Sequence, residues 1–285
     1  MDGRSITTPV STGIGVISPN TTLYPNRSEN SFSPRVALSY RPTQRIVLHA
    51  SAYRAFRAPT LNELYRPFRV GNVLTEANAS LTAEHFTGGE IGAETRVWRN
   101  RLRLSAAFFD GFIDNPVANV TLSSTPALIT RERENLGSTR STGFELHAEM
   151  RLRSSMFFSA GYQYVDAGVT SFPLEPALVG LRVPLVPRHD LTAQWSYSHH
   201  AYSFAVQGRA ESEEFDDDLN QFRLGPYFVL GASASRSFGE RLEVFVAGDN
   251  LLNRRYAVAE TPTPMLASPI LVRGGFRLQL ARMKH

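Results

Sequence analysis

Along most of this chain, apolar and polar residues alternate with a period of two, and the pattern is renewed many times. Neighbouring side chains on a strand point to opposite faces, so such a pattern builds two-faced strands and disfavours amphipathic helices. His189, Leu191, Ala193, Trp195 and Tyr197 make one face against Asp190, Thr192, Gln194 and Ser196. Tyr202, Phe204, Val206, Gly208 and Ala210 oppose Ser203, Ala205, Gln207, Arg209 and Glu211. Phe144, Leu146, Ala148, Met150 and Leu152 oppose Glu145, His147, Glu149 and Arg151. Near the C-terminus, Ile270, Val272, Gly274, Phe276, Leu278 and Leu280 oppose Arg273, Arg277 and Gln279.

Eleven segments read as strands in this way: 34–42, 45–55, 83–97, 101–114, 138–152, 155–166, 188–198, 202–212, 225–238, 241–251 and 268–281. A twelfth is predicted near 5–17, where Ile6, Val10, Ile14 and Val16 share parity, although Pro9 weakens it. The connections alternate in length. Short turns fall at Pro42-Thr43-Gln44, Trp98-Arg99-Asn100, Ser154, Ser198-His199-His200 and Gly239-Glu240. Long loops fall at 57–82, 115–137, 167–187, 213–224 and 253–267. One orientation puts every long loop at one end and every short turn at the other, as in an outer-membrane barrel.

Composition agrees with that reading. Hydrophobic residues make up 42% of the 285, yet no apolar run approaches the ~18–20 residues of a membrane helix. A β-barrel can span lipid at such hydropathy because only alternate residues face the hydrocarbon. The fold expected is therefore all-β: an antiparallel up-and-down transmembrane β-barrel over residues 34–281, after an N-terminal segment 1–33 and before a tail 282–285. Leu146, Ala148, Leu191, Ala193, Trp195, Phe204 and Val206 should face lipid. Glu145, Glu149, Gln194, Gln207, Arg209 and Arg277 should face the lumen, since a one-residue slip reverses a whole strand. Tyr162 and Tyr164 would mark the outer rim, and Trp195, Tyr197 and Tyr202 the inner rim.

Several function classes are disfavoured. There are no cysteines, which excludes thiolate metal sites, a cysteine nucleophile and disulfides. The formal charge of +4 comes from arginines scattered along the chain, with Lys284 the sole lysine, so no nucleic-acid patch is expected. No catalytic residues are assigned: neither a Gly-x-Ser-x-Gly elbow nor a His-Glu-x-x-His pair occurs. Gly13-Ile14-Gly15 lacks the rest of a dinucleotide fingerprint, and no cofactor is expected. The run from Glu211 to Asp218 could hold Ca²⁺ or bridge lipopolysaccharide phosphates through divalent cations, but it reads better as a solvated loop. His199-His200 reads as a polar turn. His147, between Glu145 and Glu149, reads as lumen packing, so no metal site is assigned.

A set of motifs then resembles the TonB-dependent receptor family. Phe56-Arg57-Ala58-Pro59-Thr60-Leu61-Asn62-Glu63-Leu64-Tyr65 is similar to its strand-to-loop motif. So are Asn78-Ala79-Ser80-Leu81-Thr82-Ala83-Glu84 with Glu90-Ile91-Gly92, though Ala79 and Ala83 replace the usual prolines. Asn135-Leu136-Gly137 with Gly143-Phe144-Glu145, Pro187-Arg188-His189 and the run from Asp249 to Tyr256 follow in family order. The resemblance covers the C-terminal half of a receptor. It implies a barrel of about 22 strands in the whole family member, of which eleven or twelve would lie here. The family's N-terminal plug and TonB box are not recognised in these residues, and its usual final aromatic is replaced by a tail ending Met283-Lys284-His285. Met1 to Ser5 shows no export signal, so an upstream start or a fragment is expected.

The resemblance implies uptake of a scarce nutrient, such as a ferric siderophore or a cobalamin, in a Gram-negative outer membrane. Lipid and lipopolysaccharide would be partners, and the TonB complex would engage only through a plug. Within the first long loop, Arg57, Glu63, Tyr65, Arg66, Phe68 and Arg69 suit an anionic, planar chelate. The structural alternative is that they stack on neighbouring loops. A structural or adhesive barrel of about twelve strands, or a barrel enzyme, would carry the same strand pattern.

Overall fold

The computed structural model describes residues 5–10, 18–23 and 27–279, with side chains from residue 27 onward. Eleven strands form its main sheet: β1 (Arg35–Thr43), β2 (Ile46–Arg57), β3 (Glu84–Val97), β4 (Leu102–Asp114), β5 (Ser138–Arg153), β6 (Met156–Ser171), β7 (His189–His199), β8 (Tyr202–Glu211), β9 (Tyr227–Phe238), β10 (Leu242–Asp249) and β11 (Leu271–Leu278). Each pairs antiparallel with its sequence neighbour, so the order in space is the order in the chain. The sheet does not close. β1 and β11 are its edges among the described residues.

All eleven expected strands are present. The largest shift is in β6, which continues to Ser171 and takes residues from the expected third loop. The twelfth differs. Ser5–Val10 is a strand, but it pairs with Ser18–Leu23 in a separate two-stranded sheet, with Pro9 opposite Pro19. Proline has no N–H for a ladder, which suits an isolated hairpin better than a place beside β1. Residues 11–17 of that expected strand, and 280–285, lie outside the described residues.

Register explains the two faces. Met150, Phe158, Trp195 and Val206 lie abreast across β5 to β8, and Ala148, Ala160 and Ala193 form the adjacent row. Leu146, Tyr162 and Leu191 make the row beyond. On the opposite face Glu145 stands beside Gln163 and Ala107, and Gln194 beside Gln207. Ion pairs cross this polar face: Arg103 to Glu94 at 2.7 Å, Arg209 to Asp190 at 3.0 Å, Arg273 to Asp249 at 3.0 Å and Arg277 to Glu243 at 3.0 Å. One apolar and one wet face is what a membrane-spanning sheet requires.

Aromatic rings gather toward both ends of the apolar face. Phe144 stacks on Tyr164, and Tyr162 lies near His189, at the long-loop end. Trp195 stacks along Tyr197 at the other end, where Arg236 lies 5.2 Å from the Tyr202 ring and 4.6 Å from the Phe238 ring. Arg236 sits among apolar neighbours, and the rings' negative faces offset its charge. The short turns use left-handed backbone: Trp98, Arg99, Asn100, His200 and Gly239 all have positive φ.

Candidate functional site

The long connections are not bare loops. Between β2 and β3 lies a short helix, α1 (Leu61–Tyr65), followed by the strands Phe68–Val70 and Val73–Glu76, which turn at Gly71 with φ +59°. Between β4 and β5 lie Val117–Ser124 and Ile129–Asn135. The two connections join into one four-stranded sheet because Ile129–Asn135 pairs parallel with Val73–Glu76. These pieces are too short for periodicity to reveal, and they exist by pairing with each other.

α1 is set by a capping box. The Glu63 N–H donates to Thr60 Oγ1 at 3.3 Å, and the Thr60 N–H donates to Glu63 Oε2 at 2.6 Å. Arg57, at the end of β2, donates through Nη1 to Glu63 at 3.0 Å. Its Nε and Nη2 fork onto Glu84 at 2.6 and 2.7 Å. Glu84 also accepts from the Val117 N–H at 2.6 Å. One guanidinium thus fastens α1, the start of β3 and, through Glu84, the second connection. Burial disfavours the Glu63 charge, but the Thr60 and Arg57 donors outweigh it and hold the carboxyl below its ordinary range.

The other expected residues divide. Arg133, nearly buried, donates to the carbonyls of Asn62 at 2.6 Å and Arg66 at 3.2 Å, and its guanidinium lies 5.0 Å from the Phe68 ring. Arg69 donates through Nε to the Gly71 carbonyl at 3.0 Å. Arg66 and Arg69 are exposed, as is the Phe68 ring at 43%, while Tyr65 is half-buried. The structure therefore joins Arg57 to Glu63 as framework and leaves Arg66, Phe68 and Arg69 presented outward.

The acidic run corrects the solvated-loop expectation. Asp217 is 3% exposed and accepts from the N–H groups of Gln221 at 2.9 Å and Phe222 at 2.7 Å, closing its own hairpin. Asp218 accepts from the Thr121 N–H at 2.9 Å and hydroxyl at 2.7 Å. Asp216 accepts from the Glu260 N–H at 2.9 Å, the Thr261 N–H at 2.7 Å and the Thr261 hydroxyl at 2.9 Å. Asn220 exchanges two hydrogen bonds with the backbone of Arg182. The connection after β8 is thus bound to three others. Val120, Leu136, Val169, Phe172 and Leu178 form a small core between them, with Leu219 packed against it. Among the described residues, no group of three or more His, Asp or Glu is placed to hold a metal.

Sequence reasoning missed Thr121, Arg133, Asn135 and Thr261. Asn135 accepts from the Thr82 N–H at 2.7 Å and donates to the Asn115 carbonyl at 2.7 Å. Its place in the Asn135-Leu136-Gly137 motif was the available signal. The others carry none, because each acts on residues far away in the chain.

The family model described as TonB dependent receptor-like, beta-barrel matches residues 7–251. The vitamin B12 transporter BtuB of Photobacterium profundum is 24% identical over 229 residues, covering 80% of this chain and 35% of the transporter. The ferric-catecholate import receptor Fiu of E. coli K12 superposes with a TM-score of 0.72 at 18% identity, covering 94% of this chain and 38% of that one. The siderophore receptor PiuA of Acinetobacter baumannii gives 0.65 at 18% identity, covering 85% and 35%. The chain spans roughly a third of the length of the curated relative it matches.

Proposed function

The chain belongs to the TonB-dependent receptor β-barrel family, and from that premise we propose that it is the C-terminal barrel portion of an outer-membrane receptor importing a scarce nutrient. The nutrient class is a ferric siderophore or a cobalamin. The similar proteins are transporters and receptors rather than enzymes, and we assign the chain no catalytic role. Outer-membrane lipid and lipopolysaccharide surround the apolar face, and coupling to TonB runs through a plug carried elsewhere in the receptor.

The observation that carries this reading is the joining of the long connections into one hydrogen-bonded layer at one end of a two-faced sheet. A layer held by charge-assisted bonds can keep ligand contacts in place without strand-by-strand support. We place the ligand contacts at Tyr65, Arg66, Phe68 and Arg69, with Arg57 and Glu63 positioning them. Guanidiniums and a flat ring match an anionic chelate. The test is uptake of radiolabelled ferric siderophores and cobalamin by cells carrying or lacking a receptor with this segment. Uptake of one class should depend on the receptor, and equal uptake of every compound by both cell types would refute the reading.

A further inference from the structure

The short-turn end of the main sheet carries an excess of positive charge. Arg45, Arg99, Arg101 and Arg241 lie in its turns, and Arg151 and Arg153 end β5 beside another. All six are exposed, and Glu240 is the one acidic residue of those turns. The carboxylates further along the strands are already engaged, Glu94 and Glu149 by Arg103 and Glu243 by Arg277. Among the described residues, none of the six arginines has an ion-pair partner. Arg236 brings the same charge onto the apolar face. His199, Tyr202, Arg236, Val244 and Phe276 lie abreast across β7 to β11, on the side of Trp195 and Val206. Between the row of Trp195 and the short turns, Arg236 is the one formal charge on this face of β6 to β11 among the described residues. The Tyr202 and Phe238 rings lie 5.2 and 4.6 Å from its guanidinium, and no carboxylate pairs with it among the described residues. A ring face attracts a cation, but the planar fork of donors is matched by an oxyanion. At a lipid-facing position near a strand end, an arginine reaches toward the interface, where the oxyanions are headgroup phosphates.

We propose that the short-turn rim is a binding surface for anionic phospholipid, with Arg236 taking the phosphodiester of a phosphatidylglycerol-class headgroup. The proposal rests on the family reading, which puts the short turns at the periplasmic end. That end faces the phospholipid leaflet and not the lipopolysaccharide one. Tyr202 and Phe238 hold the guanidinium at the interface, and Val244 and Phe276, 44% and 72% exposed, offer the apolar surface for the acyl chains. Trp98, 57% exposed beside Arg99, suits the same level of the membrane. The turn arginines decide which lipid is kept. A phosphatidylethanolamine headgroup carries the same phosphate but also an ammonium, which six unpaired guanidiniums repel. A headgroup with net negative charge meets attraction from all of them.

The test is a lipid competition on the receptor that carries this chain. The receptor would be held in detergent micelles with equimolar dioleoyl phosphatidylglycerol, dioleoyl phosphatidylethanolamine and lipid A, and the lipids it retains counted by native mass spectrometry. The wild type should retain phosphatidylglycerol in preference to the other two. One basic residue at an anionic surface corresponds to about a fivefold change in partition. Arg236→Gln should therefore lower the preference for phosphatidylglycerol about fivefold, and Arg236→Lys should lower it less. Arg99→Gln with Arg101→Gln should also lower it. These two residues lie exposed in or beside a turn, so the double variant keeps the test decisive if Arg236→Gln fails to assemble. Arg54→Gln, an exposed arginine of the same face at the long-loop end, should leave the preference unchanged. Equal retention of the two phospholipids by the wild type would overturn the proposal. So would a preference that survives in both glutamine variants, one that falls equally in Arg54→Gln, or a wild type that retains lipid A best. Nutrient uptake does not enter this readout, so failure of the uptake reading is recognised separately. A receptor that enters no membrane would overturn the family reading and the proposal with it.

Discussion

Asp218 takes both the N–H and the hydroxyl of Thr121 onto its carboxylate, at 2.9 and 2.7 Å, across 97 positions of sequence. With Asp216 on Thr261 and Asn220 on Arg182, this bond makes the connection after β8 the hub of the loop layer. Bonds to a charged acceptor contribute about 1.5–3 kcal/mol each. Asp218→Ala removes both and should therefore ease local opening of residues 115–124 by about 3–6 kcal/mol, with little change in the main sheet. Amide hydrogen exchange would check it, by faster exchange at Thr121 and unchanged protection in β5 to β8.

The membrane face makes a second prediction. Val206 lies in the row of Met150, Phe158 and Trp195 at mid-sheet. Val206→Arg should destabilise the assembled barrel by ~2–4 kcal/mol. Gln207→Arg, one residue on and facing the polar side, should cost much less. Urea unfolding from lipid vesicles measures both, and equal losses would show that the faces are assigned wrongly.

The strands were legible because their signal is local and repeated. Leu191, Ala193 and Trp195 declare a face within five residues, and pairing then fixes the register. The loop layer was not legible. Asp218 in an acidic run looks like a solvated charge until Thr121 is folded over it, and Arg133 in Arg131-Glu132-Arg133-Glu134 resembles any exposed strand. Their roles come from contacts distant in sequence. Arg57 and Glu63 were singled out by the motif around them, and they pair with each other in the structure while the Arg57 side chain remains exposed.

Acid should act on the layer in two directions. Glu63 has a folded pKa below the ordinary 4.5. Its bonds to Thr60 and Arg57 therefore stabilise α1 fully above that value, and the contribution is lost as pH falls through the lower folded pKa. Glu134 and Glu214 are pushed upward, chiefly by burial and then by the neighbouring carboxylates Glu132 and Glu211. Their charged forms weaken the fold above their raised folded pKa, and acidification through that pKa relieves the penalty. Exchange at α1 should rise below about pH 4.5 in the wild type, and Glu63→Gln should flatten that response. In Glu214→Gln, the stabilisation of residues 212–226 on mild acidification should shrink.

Isothermal titration of a receptor carrying this segment, with a panel of ferric siderophores and cobalamin, tests the central claim most directly. The comparison is between the wild type and Arg66→Ala with Arg69→Ala, two exposed side chains outside the Arg57 framework. Loss of two charge-assisted contacts at about 1.5 kcal/mol each predicts roughly a hundredfold weaker binding of the anionic ligand, with normal assembly in the membrane. Unchanged affinity for the transported ligand, in a variant that assembles normally, would contradict the placement of recognition on the first loop.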